Sequence, residues 1–302
     1  MTVLSELSDS TRTVAEQVGP SVVRIGSGGG RGCGVLVADG QVATNAHNLR
    51  GRETTVTFAD GRTATGELTG TDIDGDVAVL AVDTGGAPAV SWADRSPALG
   101  DVVFAVARGY GGASRVTWGT VSATERAFRG PRGRRITGSL EHTAPLTRGS
   151  SGSPIVDTEG NLVGLNTNRL GEGFYLALPA DDDLRARIEG LQRGDAPPTR
   201  HLGVGLAPRH VARKLRRSVG LPDRDGLLVR LVEDGSPADR AGLHQGDLIV
   251  RAGDRDVVRV DDLYDALDAA EDHLELRVVR GTEELDVRVS FTNGGAETEG
   301  SA

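Results

Sequence analysis

The chain has 302 residues, enough for two domains with apolar cores. Hydrophobic residues make up 37% and aromatic residues only 3%, and there are 43 glycines, which favours a turn-rich β protein packed by aliphatic side chains. The net charge of −9, from 34 basic and 43 acidic residues, argues against a nucleic-acid partner or an anionic membrane, because both require positive charge.

Residues 1–20 are predicted to form a short helical segment that Gly19 and Pro20 close. Its apolar residues have rough helical spacing: Leu4, Leu7, Val14 and Val18. The segment has two acidic residues before its first arginine and no apolar centre, so it does not resemble a signal peptide. Nothing in the chain approaches the ~18 consecutive apolar residues of a membrane span. We therefore expect a cytoplasmic protein, or a cell-envelope protein if the natural chain begins earlier.

From residue 21 onward the pattern changes to short apolar runs separated by glycine, aspartate and asparagine. The first series of predicted strands covers residues 22–25, 34–37, 41–44, 55–58, 77–80 and 102–106. A second series covers residues 115–121, 155–156, 161–165 and 174–178. Asp39-Gly40 and Asp60-Gly61 are typical hairpin turns. Many short strands at this spacing indicate an antiparallel barrel or sandwich.

A basic, glycine-rich insert interrupts the second series at residues 126–138. It carries five arginines: Arg126, Arg129, Arg132, Arg134 and Arg135. One interpretation is a mobile, solvated loop, and the other is a regulatory or substrate-contacting loop.

After the barrel series, residues 181–191 are predicted to be helical, and residues 191–200 form a polar linker stiffened by two prolines. A compact α+β domain follows at residues 201–291. Its predicted elements are a strand at 226–232, a short helix that begins at Ser236, a helix at 262–270 and a hairpin of strands 274–280 and 285–289. Residues 292–302 are polar, and we expect them to be disordered.

Residues 149–154 form a turn of small and hydroxyl-bearing residues that leads into an apolar strand. Such a turn can bring a serine hydroxyl and backbone N–H groups to one point, as acyl transfer requires. If Ser151 is the nucleophile it needs a base. Lys214 is the only lysine and lies in the second domain, which excludes a Ser–Lys dyad.

His47 is the one histidine that directly follows an apolar strand, and Asp76 stands at the start of another. The order His47, Asp76, Ser151 is the chymotrypsin-type order, and Ser153 breaks the G-x-S-x-G pattern of lipases and esterases. Cys33 is the only cysteine, so a disulfide framework and multi-thiolate metal sites are excluded, and a small core residue is the favoured interpretation over a nucleophile. The six histidines are scattered. We expect no metal and no cofactor.

These motifs together resemble those of the HtrA/Deg serine proteases. Residues 44–47 resemble T-N-x-H, residues 76–80 resemble D-[LV]-A-[LV]-[LI], and residues 149–154 resemble G-N-S-G-G-P. Residues 32–37 and 173–179 match two further strands of the family, and the resemblance extends from about residue 14 to residue 291. It implies a chymotrypsin-like protease domain at 21–190, with six-stranded β-barrels at about 21–106 and 107–180, followed by a PDZ domain at 201–291.

The resemblance also implies the site. Ser151 would be the nucleophile, His47 the general base and acid, and Asp76 the group that orients the imidazole. The N–H groups of Gly149 and Ser151 would form the oxyanion hole. The substrate-binding residues would be Leu146, Arg148, Asn166 and Thr167, and the default expectation for P1 is a small-to-medium apolar side chain.

The sequence departs from the family at several positions of the site. Ser150 and Ser153 replace asparagine and glycine, Asn48 replaces the usual valine, and residues 142–148 differ from the family's run before the nucleophile. An ATP-independent serine endopeptidase that cleaves unfolded or damaged protein is the expected function. The departures keep open an alternative, a weakly active or inactive protease fold that serves as a binding or chaperone-like module.

In the second domain, residues 201–204 resemble the carboxylate-binding loop of a PDZ domain, and residues 236–249 resemble its core signature. The resemblance implies a groove that binds C-terminal peptides. Its residues would be Leu202, Gly203, Val204, Leu263, Tyr264 and Leu267. The insert at 126–138 occupies the position of the family's sensor loop. The family commonly trimerises through N-terminal aromatic residues. The resemblance therefore implies a homo-oligomer, a trimer, although residues 1–57 contain no aromatic residue.

Overall fold

A computed structural model describes residues 2–27, 31–109, 113–131, 133–171, 173–195, 200–207, 209–221 and 223–291. The chain divides into two units, 1–197 and 198–302, and each is described by itself. Most of the predicted linker's second half and all of the predicted tail at 292–302 lie outside the described residues.

The first unit begins with helix α1 and a closed six-stranded barrel. α1 spans Val3–Val18, and its buried residues Val14 and Val18 pack into the core of the unit. The barrel strands are β1 Val22–Ile25, β2 Gly32–Ala38, β3 Gln41–Thr44, β4 Glu53–Thr57, β5 Thr63–Asp72 and β6 Val77–Ala81. They close in the order β1-β2-β3-β6-β5-β4. As a result, the end of β3 and the start of β6 lie side by side.

A second closed barrel follows, in the order β10-β11-β12-β9-β8-β7. Its strands are β7 Val102–Arg108, β8 Ser114–Arg129, β9 Arg135–His142, β10 Pro154–Val156, β11 Leu162–Gly171 and β12 Phe174–Pro179. The predicted boundary near residue 106 is therefore one strand too late. β7 opens the second barrel, and the sixth strand of the first barrel is β5, which the sequence pattern did not predict.

The insert at residues 126–138 is mostly β structure. β8 continues to Arg129 and β9 begins at Arg135, so only the tip between them is a turn. Phe128 and Ile136 are paired across the hairpin and are each 9% exposed. Their burial in the core of the unit explains why the strands extend so far, and it corrects the prediction of a loop over the whole insert. Arg132 lies outside the described residues.

Helix α2, Asp182–Gln192, ends the first unit close to the predicted span of 181–191. Asp181 caps it, because its carboxylate accepts the Leu184 backbone N–H at 2.9 Å. Ile188 and Leu191 lie on the face that is buried against the barrels.

The second unit is a sheet with helices packed on it, in the strand order β13-β14-β15-β17-β18, with β16 paired to β15. The strands are β13 Val204–Leu206, β14 Leu227–Val232, β15 Leu248–Ala252, β16 Arg255–Asp256, β17 His273–Arg280 and β18 Glu283–Ser290. The helices are α3 Arg209–Ser218, α4 Pro237–Arg240 and α5 Val260–Ala269. The predicted fold class, two β-barrels followed by a small α+β domain, is confirmed.

Candidate active site

The histidine and the aspartate of the predicted triad meet because their strands are neighbours. β3 and β6 pair antiparallel, with Thr44 opposite Ala78, so the residues after β3 lie beside those before β6. His47 Nδ1 lies 2.9 Å from both carboxylate oxygens of Asp76. The His47 backbone N–H also donates to Oδ1 of that carboxylate at 3.2 Å. This pairing favours a proton on Nδ1 and leaves Nε2 as a proton acceptor.

The Asp76 side chain is buried and surrounded by donors. It is 1% exposed, and the Thr167 hydroxyl donates to its Oδ2 at 2.6 Å. The Asn45 side-chain amide donates to its backbone oxygen at 3.1 Å. Its φ of +56° lies in the left-handed region, which aspartate tolerates better than most residues. The surrounding contacts therefore hold a costly backbone conformation that aims the carboxylate at His47.

Ser151 lies in the turn before β10, and its hydroxyl has a partner other than the histidine. Ser151 Oγ donates to the Thr167 backbone oxygen at 3.0 Å, and in the described part of the chain no hydrogen bond joins it to His47. Rotation about the Cα–Cβ bond moves a serine hydroxyl between staggered positions. Catalytic hydrogen bonds often tighten only when substrate is bound, so the arrangement is compatible with a nucleophile at rest.

The turn around Ser151 leaves two backbone N–H groups available. The Ser150 N–H donates to the Thr147 oxygen at 3.2 Å, and the Ser153 N–H donates to the Ser150 oxygen at 3.0 Å. Among the described residues, the N–H groups of Gly149 and Ser151 have no backbone acceptor. These two are the groups that the sequence predicts for an oxyanion hole.

The three predicted catalytic residues line one cleft of about 510 Å³. The predicted substrate-binding residues Leu146, Arg148, Asn166 and Thr167 line it too. The side chains of Asn166 and Thr167 are buried and bonded to the protein, whereas Leu146 and Arg148 face the cleft from the run before Ser151. The Tyr175 hydroxyl, which donates to the Leu146 oxygen at 3.3 Å, steadies that run.

Asn48 binds the backbone of the turn that contains Ser151, a contact that the sequence did not reveal. Its side-chain amide donates to the Ser151 backbone oxygen at 2.9 Å and to the Thr44 hydroxyl at 3.0 Å. The Cys33 N–H donates to the same Ser151 oxygen at 2.7 Å. The start of β2 and the residues after β3 therefore hold the Ser151 backbone in place.

Residues 32–165 match the trypsin-like peptidase domain, and residues 201–291 match the PDZ domain. A curated relative named serine protease HTRA2, mitochondrial, from Drosophila pseudoobscura pseudoobscura is 30% identical over 275 residues, which cover 85% of this chain and 64% of that protein. The protein of the same name from Drosophila persimilis has the same identity and coverage. The chain therefore has the domain content of an HtrA/Deg-type protease, a trypsin-like peptidase domain followed by a PDZ domain.

Solved structures of HtrA-type proteases share the fold. A serine endoprotease from Yersinia pestis matches with a TM-score of 0.61 and 26% identity, and the match covers 93% of this chain and 96% of that chain. The HtrA-type protease AlgW, solved with a decapeptide, matches with a TM-score of 0.62 and 22% identity over 93% and 97% of the two chains. The chain spans about 64% of the length of the curated relatives that it matches.

The hairpin formed by β8 and β9 contributes to the cleft. Phe128, Arg129, Gly130 and Pro131 lie in its lining. Arg134 Nη1 lies 3.0 Å from Asp74 Oδ2, so the hairpin tip is tied to the first barrel two residues before Asp76. Arg126 pairs with Glu141 within the hairpin region at 3.0 Å. The sequence predicted a charged insert here, but it did not show that the tip forms part of the cleft wall.

A buried histidine, His142, is linked through Asn166 to the turn that contains Ser151. His142 is fully buried, and its Nε2 donates to Asn166 Oδ1 at 2.8 Å. The Asn166 amide nitrogen donates to the Ser153 backbone oxygen and hydroxyl, both at 3.0 Å. The Gly152 N–H donates to the Asn166 backbone oxygen at 2.7 Å. Side chains from β9 and β11 therefore hold the turn from the side of the second barrel.

The His142 ring predicts a pH dependence of stability. Burial lowers the pKa of His142 from 6.5 to about 4, so folding favours its neutral form. This contribution to stability is complete above pH 6.5 and is lost as the pH falls towards 4, and it amounts to at most about 3 kcal/mol. In His142→Gln, which keeps a donor for Asn166 but cannot titrate, we expect a flatter loss of thermal midpoint between pH 6.5 and 4. Identical pH profiles for the two proteins would contradict this assignment.

Gly152 is the position in the turn where any side chain would collide. Its φ is +84°, and a Cβ would overlap the Cys33 carbonyl oxygen and crowd the Thr44 hydroxyl. We expect Gly152→Ala to lower the thermal midpoint of the first unit by about 10 °C, because strain and overlap add. Gly100→Ala is the matched control, since Gly100 has a φ of +89° but nothing near its Cβ position. That variant should lose only about 3 °C, and equal losses would contradict the overlap.

Cys33 is predicted to be unreactive in the folded protein. It is fully buried, its Sγ contacts the Gly149 oxygen at 3.3 Å, and burial raises the pKa of the thiol. Only the thiolate reacts quickly with alkylating reagents. We expect no iodoacetamide adduct at pH 8 under native conditions and complete alkylation in denaturant, measured by mass spectrometry. Rapid native alkylation would revive Cys33 as a candidate nucleophile.

The predicted peptide-binding residues of the PDZ domain lie around an open sheet edge. β13 is the last strand on its side of the sheet, since it pairs only with β14 in the described residues. The N–H groups of Leu202 and Gly203 have no backbone acceptor within the described part of the domain. Leu263 and Leu267 of α5 are each 3% exposed and belong to the domain core, while Tyr264 is half-buried.

The described residues contain no candidate for a membrane-spanning helix and none for a metal site. No described helix is long and apolar enough to cross a membrane. Within the described residues, no group of three or more histidine, cysteine, aspartate or glutamate side chains could hold a metal ion.

Proposed function

We propose that the chain is a serine endopeptidase that cleaves unfolded or damaged proteins without ATP. The observation that carries the proposal is the common cleft of His47, Asp76 and Ser151, with the imidazole held at 2.9 Å by a buried carboxylate. The similarity to HtrA/Deg-type proteases in both domains supports it. Acyl transfer by a serine requires a nucleophile, a base and a site for the oxyanion, and the cleft offers a candidate for each.

The first step of the proposed reaction is acylation. The Ser151 hydroxyl turns from the Thr167 oxygen towards His47, whose Nε2 removes its proton as Oγ attacks the scissile carbonyl carbon. Asp76 stabilises the imidazolium that forms. The imidazolium then donates the proton to the leaving amine, and the C–N bond breaks. In deacylation, His47 removes a proton from water as the water oxygen attacks the acyl carbon. The imidazolium then donates this proton to Ser151 Oγ, which releases the acyl part and restores the hydroxyl.

The N–H groups of Gly149 and Ser151 would bind the oxyanion of each tetrahedral intermediate. Their lack of other backbone acceptors among the described residues supports this role. Each lost donor of this type typically costs about 10²–10³ in rate. We infer that the contacts from Asn48 and Cys33 to the Ser151 carbonyl serve the reaction by fixing the orientation of this turn.

We assign substrate binding to the exposed wall of the cleft. Leu146 and Arg148 would contact the residues next to the scissile bond, and a small-to-medium apolar P1 side chain remains the prediction. Asn166 and Thr167 would act indirectly, through their hydrogen bonds to Ser153 and Asp76. The β11 backbone would pair with an extended substrate. Leu202, Gly203 and Val204 would bind a C-terminal peptide along β13, with the α5 residues Leu263, Tyr264 and Leu267 as the other wall.

Regulation by the PDZ domain is a further part of the proposal. The hairpin tip lines the cleft and is tied to Asp74, next to the catalytic aspartate, so its position can affect the site. Arg126, Arg129, Arg132, Arg134 and Arg135 give it the charged composition of a regulatory loop. If a PDZ ligand acts through this hairpin, deletion of residues 199–302 removes stimulation by peptides. Deletion that leaves both basal activity and stimulation intact would refute this regulation.

A single digestion tests the central activity. One protein substrate is supplied in its folded form and in a permanently unfolded form, in buffer without nucleotide. We expect fragments from the unfolded form only, and addition of ATP should not change their rate of appearance. No fragments from either form would contradict the proposal. A homotrimer and a cytoplasmic location stay predictions from the sequence.

A further inference from the structure

A second pocket lies on the other side of the residues that precede Ser151. It has a volume of about 390 Å³, and it shares Thr147, Arg148 and Gly149 with the catalytic cleft. Its remaining walls come from β1, from the start of β2, and from the end of β7 and the start of β8 with the residues next to them. The backbone at 147–149 is therefore a partition with the cleft on one side and this pocket on the other.

The second pocket is strongly basic. Four arginines line it: Arg24, Arg108, Arg115 and Arg148. No aspartate or glutamate lines it in the part of the chain that the structure describes, although the whole chain has a net charge of −9. The overall composition, with its excess of acidic residues, does not explain a pocket lined by four arginines. We call it the basic pocket.

The arginines of the basic pocket differ in mobility. Arg108 is 4% exposed, and its guanidinium donates to the Val22 oxygen at 2.9 Å and to the Gly19 oxygen at 2.7 Å. It is a positive charge in the pocket lining that these two hydrogen bonds hold in place. Arg115 and Arg148 are exposed, and neither forms an ion pair with a described carboxylate. Their guanidinium groups can therefore turn to a carboxylate that arrives from solvent.

The position of the basic pocket decides which part of a substrate meets it. In the proposed reaction the acyl part of the substrate lies in the cleft along β11, with its carbonyl at Ser151. Gly149 borders both spaces, so a peptide that crosses Ser151 leaves the cleft over Gly149 and enters the basic pocket. The residues that follow the scissile bond are the ones that reach the arginines.

We propose that the basic pocket is a subsite for an acidic side chain in the leaving-group part of the substrate. This inference rests on the proposed endopeptidase function and adds a specificity to it. A carboxylate matches the fork of a guanidinium, which offers two parallel N–H donors. The fixed charge of Arg108 and the mobile side chains of Arg115 and Arg148 would stabilise aspartate or glutamate and repel lysine or arginine.

The test uses three peptides that differ at one residue after the scissile bond, which is glutamate, glutamine or lysine. We expect kcat/KM to be about fivefold higher for the glutamate peptide than for the glutamine peptide, and lowest for the lysine peptide. Because the attraction is electrostatic, the ratio should shrink as salt is raised. Varying each of the positions that follow the bond in turn locates the residue that enters the pocket.

Arg115→Glu should reverse the ratio between the glutamate and lysine peptides, and Arg115→Gln should reduce it. Arg12→Glu is the matched control, because Arg12 lies on the exposed face of α1 and lines neither pocket. It should keep the wild-type ratio. Equal kcat/KM for the three peptides, or a glutamate preference that Arg115→Glu retains, would overturn the inference.

Binding of the same peptides to Ser151→Ala separates this inference from the proposed function. Fluorescence anisotropy on that variant measures the preference without any cleavage. If the wild type cleaves no peptide but Ser151→Ala prefers the glutamate peptide, the endopeptidase proposal fails, and the basic pocket stands only as a binding site for an acidic side chain. If the wild type cleaves and neither assay shows a preference, only the subsite fails.

Discussion

Replacing Ser151 with alanine is expected to lower the turnover of an unfolded protein by about 10⁴–10⁶-fold. The alanine has no oxygen to attack the scissile carbonyl, so the acyl-enzyme route is closed while the cleft and the oxyanion donors remain. Fragment release from a fluorescently labelled unfolded protein measures the loss. The thermal midpoint should stay close to that of the wild type, because the hydroxyl's only described hydrogen bond is to the Thr167 oxygen.

The neighbouring serine provides the matched control for this prediction. Ser150→Ala makes the same chemical change one residue away, and the Ser150 hydroxyl has no hydrogen bond in the described residues. We expect this variant to keep its turnover within severalfold of the wild type. Equal rates for the wild type and Ser151→Ala would eliminate Ser151 as the nucleophile.

Asp76→Asn is the second large effect, with an expected loss of about 10⁴ in kcat. The asparagine fits the same space, but its amide N–H would face His47 Nδ1 and make that nitrogen an acceptor. The proton of the neutral imidazole then moves to Nε2, which can no longer remove the proton of Ser151. Steady-state cleavage of a peptide substrate measures the loss in kcat.

Asp74→Asn is the control for charge at this end of β6. Asp74 lies two residues away and pairs with Arg134 in the hairpin, not with His47. Its replacement removes the same charge without changing the imidazole tautomer, so kcat should fall far less. If the two variants lose activity equally, the role of Asp76 is general electrostatics and not orientation of the base.

The proposed catalytic residues could be selected from the sequence because each stands next to an apolar strand in a short motif. His47 follows β3, Asp76 precedes β6 and Ser151 precedes β10. The barrel order then joins β3 and β6 as neighbours, which no local pattern contains. The motifs therefore identified the residues, and the topology supplies the contact between His47 and Asp76.

Elements without strong apolar alternation were missed. β5 contains four threonines and two glycines over Thr63–Asp72, and only Gly66, Gly70 and Asp72 are buried along it. The extension of β8 and β9 into the insert depends on two residues, Phe128 and Ile136, within a run of arginines and glycines. Charge and glycine content favour a loop locally, but burial of these two side chains outweighs that preference.

The support beneath the nucleophile was beyond prediction for a different reason. His142 contacts Asn166, and Asn48 contacts the Ser151 carbonyl, 24 and 103 residues away in sequence. Both are polar side chains in positions where the resemblance marks a departure, and periodicity carries no information about such distant partners. Their buried hydrogen bonds become visible only when both barrels are assembled.

Labelling with a fluorophosphonate tests directly whether Ser151 is an activated nucleophile. The reagent requires a serine that is activated by its base and an oxyanion hole that accepts the phosphoryl oxygen. Mass spectrometry of the folded wild type should show one adduct, located on Ser151. Ser151→Ala should show none, and Asp76→Asn should label far more slowly. An unlabelled wild type, or an adduct on another serine, would contradict the proposal that Ser151 is the nucleophile.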